Sequence, residues 1–180
     1  YIFFQQTKFN STTLLRSLAY NIALSVRQAQ IYGTSVRESS RGSGVFVQGY
    51  GVYVPSAGAT SNIYYIFADL NGNGSYESGE ELPRFTLGKG YVISGICAVV
   101  SGTVCTPVDS LTAYFRRPNP DACISNNDGA CATATPPVGA YTRAYITVSN
   151  TGNTDARSIK VSQTGQISVC APNLTNVTDC

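Results

Sequence analysis

The sequence predicts an α+β domain, one long N-terminal amphipathic helix packed on an antiparallel β-sheet or β-sandwich, and three observations carry that expectation. Helical periodicity dominates the start of the chain, alternation replaces it after a Gly/Ser-rich break, and no second helix of comparable quality follows. The 180 residues suit one domain, large enough to bury about two-thirds of its unfolded-chain surface. Residues 1–40 form the helical part and residues 41–180 a disulfide-stapled β domain.

From Leu14 to Val36 the apolar or small residues fall at Leu15, Leu18, Ile22, Ser25, Ala29, Tyr32 and Val36, with Leu14 and Val26 widening the stripe. Steps of three and four place them on one helical face. Arg16, Asn21, Arg27, Gln28 and Arg37 occupy the other face. Leu15, Leu18, Ile22 and Ala29 are the candidate assembly contacts of this helix. Ahead of it, Tyr1-Ile2-Phe3-Phe4 forms an apolar cluster, and the chain contains no methionine. Both features read as the cut end of a longer hydrophobic segment in a processed, truncated or partly observed chain.

Residues 38–44 break the helix, and the period changes from 3.6 to about 2. Val45, Val47, Val52 and Val54 flank Gly49-Tyr50-Gly51 as a strand pair or one bent strand. Asn62 to Ala68 is apolar on both faces and predicts a central strand. Further strands are expected at Arg84 to Leu87, Tyr91 to Val99, Leu111 to Arg116, Thr142 to Val148, Ser158 to Val161 and Gln166 to Val169. Gly88-Lys89-Gly90 and Gln163-Thr164-Gly165 are expected hairpin turns, and Asn119 to Gly139, with three prolines, a long surface loop.

Six cysteines, Cys97, Cys105, Cys123, Cys131, Cys170 and Cys180, fall into three neighbouring pairs. Six allow 15 connectivities, and turn-forming residues inside each neighbouring pair favour sequential bridges. Each short loop so closed would stabilise the fold by ~2 to 3 kcal/mol. With no C-x-x-C and no histidine, zinc is the weaker explanation. Disulfides imply an oxidising compartment outside the cytoplasm. A net charge of +2 supplies no broad cationic field for non-specific nucleic-acid binding. Lack of histidine excludes Ser-His-Asp and Cys-His nucleophile arrangements. Adjacent Glu80 and Glu81 would point to opposite faces of a strand, so the pair fits no glycosidase site and a non-enzymatic role is expected.

The amphipathic run Leu14 to Gln30, the segment Phe67-Ala68-Asp69-Leu70-Asn71-Gly72-Asn73-Gly74 followed by Gly79-Glu80, and the closing stretches Arg157 to Val161 and Gly165 to Val169 come in an order that resembles the type IV pilin-like proteins, in particular minor pilins and H-type pseudopilins. The resemblance implies a pilin-like fold and a structural filament subunit. It implies other pilin-like subunits and the inner-membrane assembly machinery as partners. Its location would be the inner membrane before assembly and an extracellular or cell-surface filament afterwards. The family pattern begins with Phe or Met and carries Glu at position five, whereas this chain has Tyr1 and Gln5; its hydrophobic membrane segment is missing here. The alternative is a cell-surface binding module, a DNA-binding minor pilin or an adhesin.

Two candidate sites remain. Asp69 to Glu80 matches the twelve-residue calcium-loop pattern, with Asp69, Asn71, Asn73, the Ser75 carbonyl and Glu80 as oxygen ligands and Gly74 at the sharp turn. Calcium there would be structural, and a metal-free Asn-Gly turn has much the same composition. Arg116, Arg117, Arg143, Arg157 and Lys160 are the candidate DNA or ligand contacts, too scattered to make DNA the favoured partner. Asn10-Ser11-Thr12, Asn173-Leu174-Thr175 and Asn176-Val177-Thr178 match the glycosylation acceptor pattern.

Overall fold

The computed structural model describes residues 2–35, 38, 44–58, 61–88, 90–132, 141–152 and 155–170, with the backbone alone for 2–10 and 83. Val36, Arg37, Lys89, Cys180 and the two C-terminal glycosylation triplets lie outside the described residues.

One helix, α1 (Ile2–Thr34), precedes strands β1 (Gly49–Val54), β2 (Ile63–Asp69), β3 (Glu81–Thr86), β4 (Tyr91–Val99), β5 (Thr106–Pro107), β6 (Leu111–Arg116), β7 (Ala122–Ser125), β8 (Arg143–Asn150), β9 (Ala156–Ser162) and β10 (Ile167–Cys170). The strands form two five-stranded antiparallel sheets, ordered β3-β2-β1-β6-β7 and β10-β9-β8-β4-β5. These two sheets correct the expectation of a pilin-like α+β domain. The chain is mostly β, and its helix touches β1, β2 and β6 of one sheet and β8, β9 and β10 of the other. The physical reason is that both sheets turn an apolar face inward, Val52, Ile66 and Phe115 from one and Ile93, Ile146 and Ile159 from the other, and the helix joins that one shared core.

The helix is seated by aliphatic side chains interleaved with small ones. Leu15, Ala19, Ile22, Val26 and Ala29 are fully buried, a stripe stepping by four and three that continues to Gly33. A Cβ at Gly33 would stand 2.7 Å from the Phe115 Cβ and also meet the Phe115 carbonyl, so the close approach there requires glycine. Polar groups fix its rotation. Ser25 Oγ hydrogen-bonds the Tyr64 hydroxyl at 3.1 Å, and buried Gln30 Nε2 donates to the carbonyls of Pro120 (2.7 Å) and Gly165 (3.0 Å). Tyr91 Oη donates to the Ser11 carbonyl at 3.0 Å near the start of the docked part.

Most expected strands form. Of the expected strand Asn62 to Ala68, Ile63 to Ala68 lies in β2 with strands on both sides, and Gln163 to Gly165 turns between β9 and β10, closed by Gly165 N to Ser162 O at 2.9 Å. Two expectations are corrected. Gly88 and Gly90 do not sit in a hairpin, because β3 and β4 belong to different sheets. The expected loop from Asn119 contains β7, whose Ala122, Cys123, Ile124 and Ser125 are all buried beside β6. Four consecutive buried residues pair as a strand to satisfy their backbone groups.

Candidate functional site

The loop between β2 and β3 folds over the outer face of the first sheet. Its anchor is Asp69, the last residue of β2 and 0% exposed. Asp69 Oδ1 accepts the N–H groups of Gly72 (2.7 Å) and Asn73 (3.2 Å), and Oδ2 accepts that of Gly74 (3.0 Å). Asn71 Oδ1 accepts from Asn73 N at 3.0 Å and Asn73 Oδ1 from Ser75 N at 2.8 Å, the local Asx turns that Asn favours. Glu80, 6% exposed, closes the other end, with Oε1 accepting from Leu70 N (2.9 Å) and Oε2 from Glu77 N (3.0 Å). Burial pushes the Glu80 carboxyl above its ordinary range, those two N–H groups pull it back, and nearby Asp69 and Glu77 add to the rise.

A second loop, after β7, locks onto this one. The Cys123–Cys131 disulfide holds it, and Gly74, at φ +69°, would place a Cβ 2.7 Å from the Cys131 Cβ. Asn127 bridges the loops: Oδ1 accepts from Tyr76 N (2.6 Å) and Thr112 Oγ1 (2.9 Å), and Nδ2 donates to the Tyr76 carbonyl (3.1 Å). Ser75 Oγ accepts from Gly129 N at 2.8 Å. Beneath them Phe67, Tyr114, Cys123 and Cys131 form a separate buried cluster. Tyr76 stacks on Tyr53 at 4.5 Å and on Tyr65 at 5.3 Å. Burial, with Asp69 alongside, pushes the Tyr114 phenol well above the usual tyrosine range, and burial with Glu81 does the same for Tyr76.

The five calcium-ligand candidates Asp69, Asn71, Asn73, Ser75 and Glu80 are therefore brought into one loop. Two buried carboxylates with amide and carbonyl oxygens make a donor set suited to a hard cation. The same side-chain oxygens also close the turn through N–H groups. No group of three or more His, Cys, Asp or Glu side chains converges among the described residues.

The sequential disulfide expectation holds for Cys97–Cys105 and Cys123–Cys131; Cys170 is also disulfide-bonded, and Cys180 lies outside the described residues. The basic candidates are not brought together. Arg116 ends β6 in the first sheet and Arg117 follows it, whereas Arg143, Arg157 and Lys160 lie in the second. Arg117 Nη2 donates to the Val47 carbonyl at 3.0 Å and Arg116 Nη1 to that of Ala132 at 3.4 Å, while Arg143 donates to the Gly102 carbonyl.

Of the helix candidates, Leu15, Ile22 and Ala29 are buried in the chain's own core and Leu18 is half-buried. They dock the helix onto its own sheets. Solvent instead meets Tyr20 (53% exposed), Leu24 (64%) and Ile31 (56%) on the opposite side. The sequence reading missed these three, although the spacing 20, 24, 31 is itself helical and marked a second apolar stripe. Comparison with protein-family models, curated proteins and solved structures returns no match.

Proposed function

We propose that this protein is a non-enzymatic structural subunit of a type IV pilus or a related pseudopilus, assembling into a filament through its N-terminal helix. The observation that supports this reading best is the two-sided use of α1. One side is consumed by the chain's own core, and the other keeps Tyr20, Leu24 and Ile31 in solvent. An uncharged apolar segment such as Ile2-Phe3-Phe4 from a neighbouring copy fits that second stripe. Such a contact joins different patches on the two copies and repeats without closing, which builds a filament. The inner membrane and its assembly machinery are the partners before polymerisation, and the cell surface or extracellular space is the destination. Calcium, in this reading, is a structural ion held by Asp69, Asn71, Asn73, the Ser75 carbonyl and Glu80. DNA recognition has weaker support, because the basic residues are divided between two sheets.

The test is to supply an apolar segment ahead of Tyr1 and measure incorporation into filaments in a piliated host. Leu24→Glu and Ile31→Glu should leave the circular-dichroism melt unchanged and abolish incorporation. Incorporation of these variants at the level of the parent would end the helix-mediated reading.

A further inference from the structure

We infer that the outer face of α1 is a docking surface for an anionic phospholipid bilayer, on which the helix lies without crossing it. Over its 33 residues α1 contains no Asp or Glu, and its charges are Lys8, Arg16 and Arg27. At 3.6 residues per turn, Arg16, Tyr20, Leu24, Arg27 and Ile31 fall within a wedge of about 80°, along about 22 Å of helix. All five side chains are exposed. Cations alternating with exposed apolar residues and a tyrosine are the pattern of an interfacial helix: the arginine stems lie along the surface with their guanidinium groups at the phosphates, the phenol sits among the headgroups, and leucine and isoleucine reach the acyl boundary.

Charge complementarity selects the lipid. The chain as a whole is nearly balanced, with 12 basic and 10 acidic residues, yet this helix carries only cations. Exposed Glu77 and Asp128 belong instead to the two interlocked loops on the outer face of the first sheet, and exposed Glu81 begins β3 beside them. Beside the stripe a groove of 530 Å³ between α1 and β10, lined by Tyr20, Ala23, Leu24, Arg27, Ile167 and Val169, extends the apolar contact with one cation at its edge. No helix among the described residues is long and apolar enough to cross a membrane, so the contact is superficial. This inference does not depend on polymerisation: the same face would meet the bilayer in a subunit that never enters a filament.

The chain has no tryptophan, so Leu24→Trp gives a single reporter on the stripe, and Val104→Trp, 74% exposed in the loop closed by Cys97–Cys105, gives a control elsewhere. With vesicles of phosphatidylcholine plus phosphatidylglycerol, the emission of Leu24→Trp should shift to the blue, and that of Val104→Trp should not. Phosphatidylcholine alone should give no shift, and added salt should reverse the anionic one. Arg16→Gln with Arg27→Gln should weaken partitioning by roughly 30-fold, about five-fold for each cation. Absence of a shift, an equal shift on neutral vesicles, or binding untouched by the double variant would overturn the inference. A concentration-dependent shift without vesicles, accompanied by a larger sedimentation coefficient and unchanged when anionic vesicles are added, would overturn it, because the bilayer would then not compete for the stripe.

Discussion

Replacing Asp69 by asparagine isolates what the buried carboxylate contributes. In the native loop its two oxygens accept three backbone N–H groups at 2.7 to 3.2 Å, with the Tyr114 hydroxyl a further partner. Asparagine keeps one acceptor oxygen and presents an NH2 where the other stood. If the retained oxygen stays with Gly72 and Asn73, the Gly74 N–H faces a donor inside a buried turn, which costs about 1 to 3 kcal/mol. The surviving bonds also lose their charge assistance, about another 1 kcal/mol in all. Relief of the desolvated charge offsets part of this, so a net loss of about 2 kcal/mol is expected. For a chain of this size that is a fall in Tm of about 4 to 8 °C. Thermal and urea unfolding by circular dichroism, with calcium and with chelator, would measure it. Calcium should raise the Tm of the parent and leave Asp69→Asn unmoved. A loss below about 1 kcal/mol, or a gain, would refute the argument that these N–H bonds hold the loop.

Gly33→Ala should destabilise by about 1 to 3 kcal/mol in urea melts, because the new methyl group meets the Phe115 backbone and the helix must lift from β6. Cys97→Ser with Cys105→Ser should cost ~2.5 kcal/mol from loop entropy alone. Cys123→Ser with Cys131→Ser should cost more in the same assay, since both sulfurs are fully buried and the hydroxyls replacing them are not. Spectrophotometric titration should show Tyr53, Tyr64, Tyr76, Tyr91 and Tyr114 ionising above free tyrosine, burial being the first cause in each. Because these folded values are raised, the stabilisation is complete below the ordinary tyrosine value and disappears as pH rises through the raised ones. The ionisation should therefore coincide with alkaline unfolding, and Tyr114→Phe should reduce its steepness.

Elements with a strong period were legible. The helix, the alternating runs of β4, β6, β8 and β9, and the β9–β10 turn follow from local sequence, because each satisfies its own apolar pattern whatever it packs against. Phase within the helix was less legible. Ranking side chains by size favours Leu18 and Tyr32, while the buried seam runs through Ala19, Ala29 and Gly33. Two sheets close on this helix, and close approach selects small residues over large ones. β7 was hidden for another reason: besides its hairpin partner β6, its burial comes from the Tyr76 loop, which is distant in sequence. The calcium-type pattern and the local N–H groups gathered by Asp69 were legible as a string, but the bridge through Asn127 depends on where β7 places its loop.

The tight seating of α1 bears directly on its outer face. Leu15, Ala19, Ile22, Val26 and Ala29 already fill the space beneath the helix and Gly33 lies against the Phe115 backbone, so Tyr20, Leu24 and Ile31 are not displaced core residues that a small rotation would bury. Ser25 on Tyr64 and Gln30 on the Pro120 and Gly165 carbonyls oppose such a rotation, since turning the helix would strand buried polar groups. Folding therefore gains little from these three side chains, and serine in their place would leave unfolding within about 0.5 kcal/mol of the parent. What an apolar residue at these positions can contribute is contact with something outside the chain, either a neighbouring subunit or the bilayer surface.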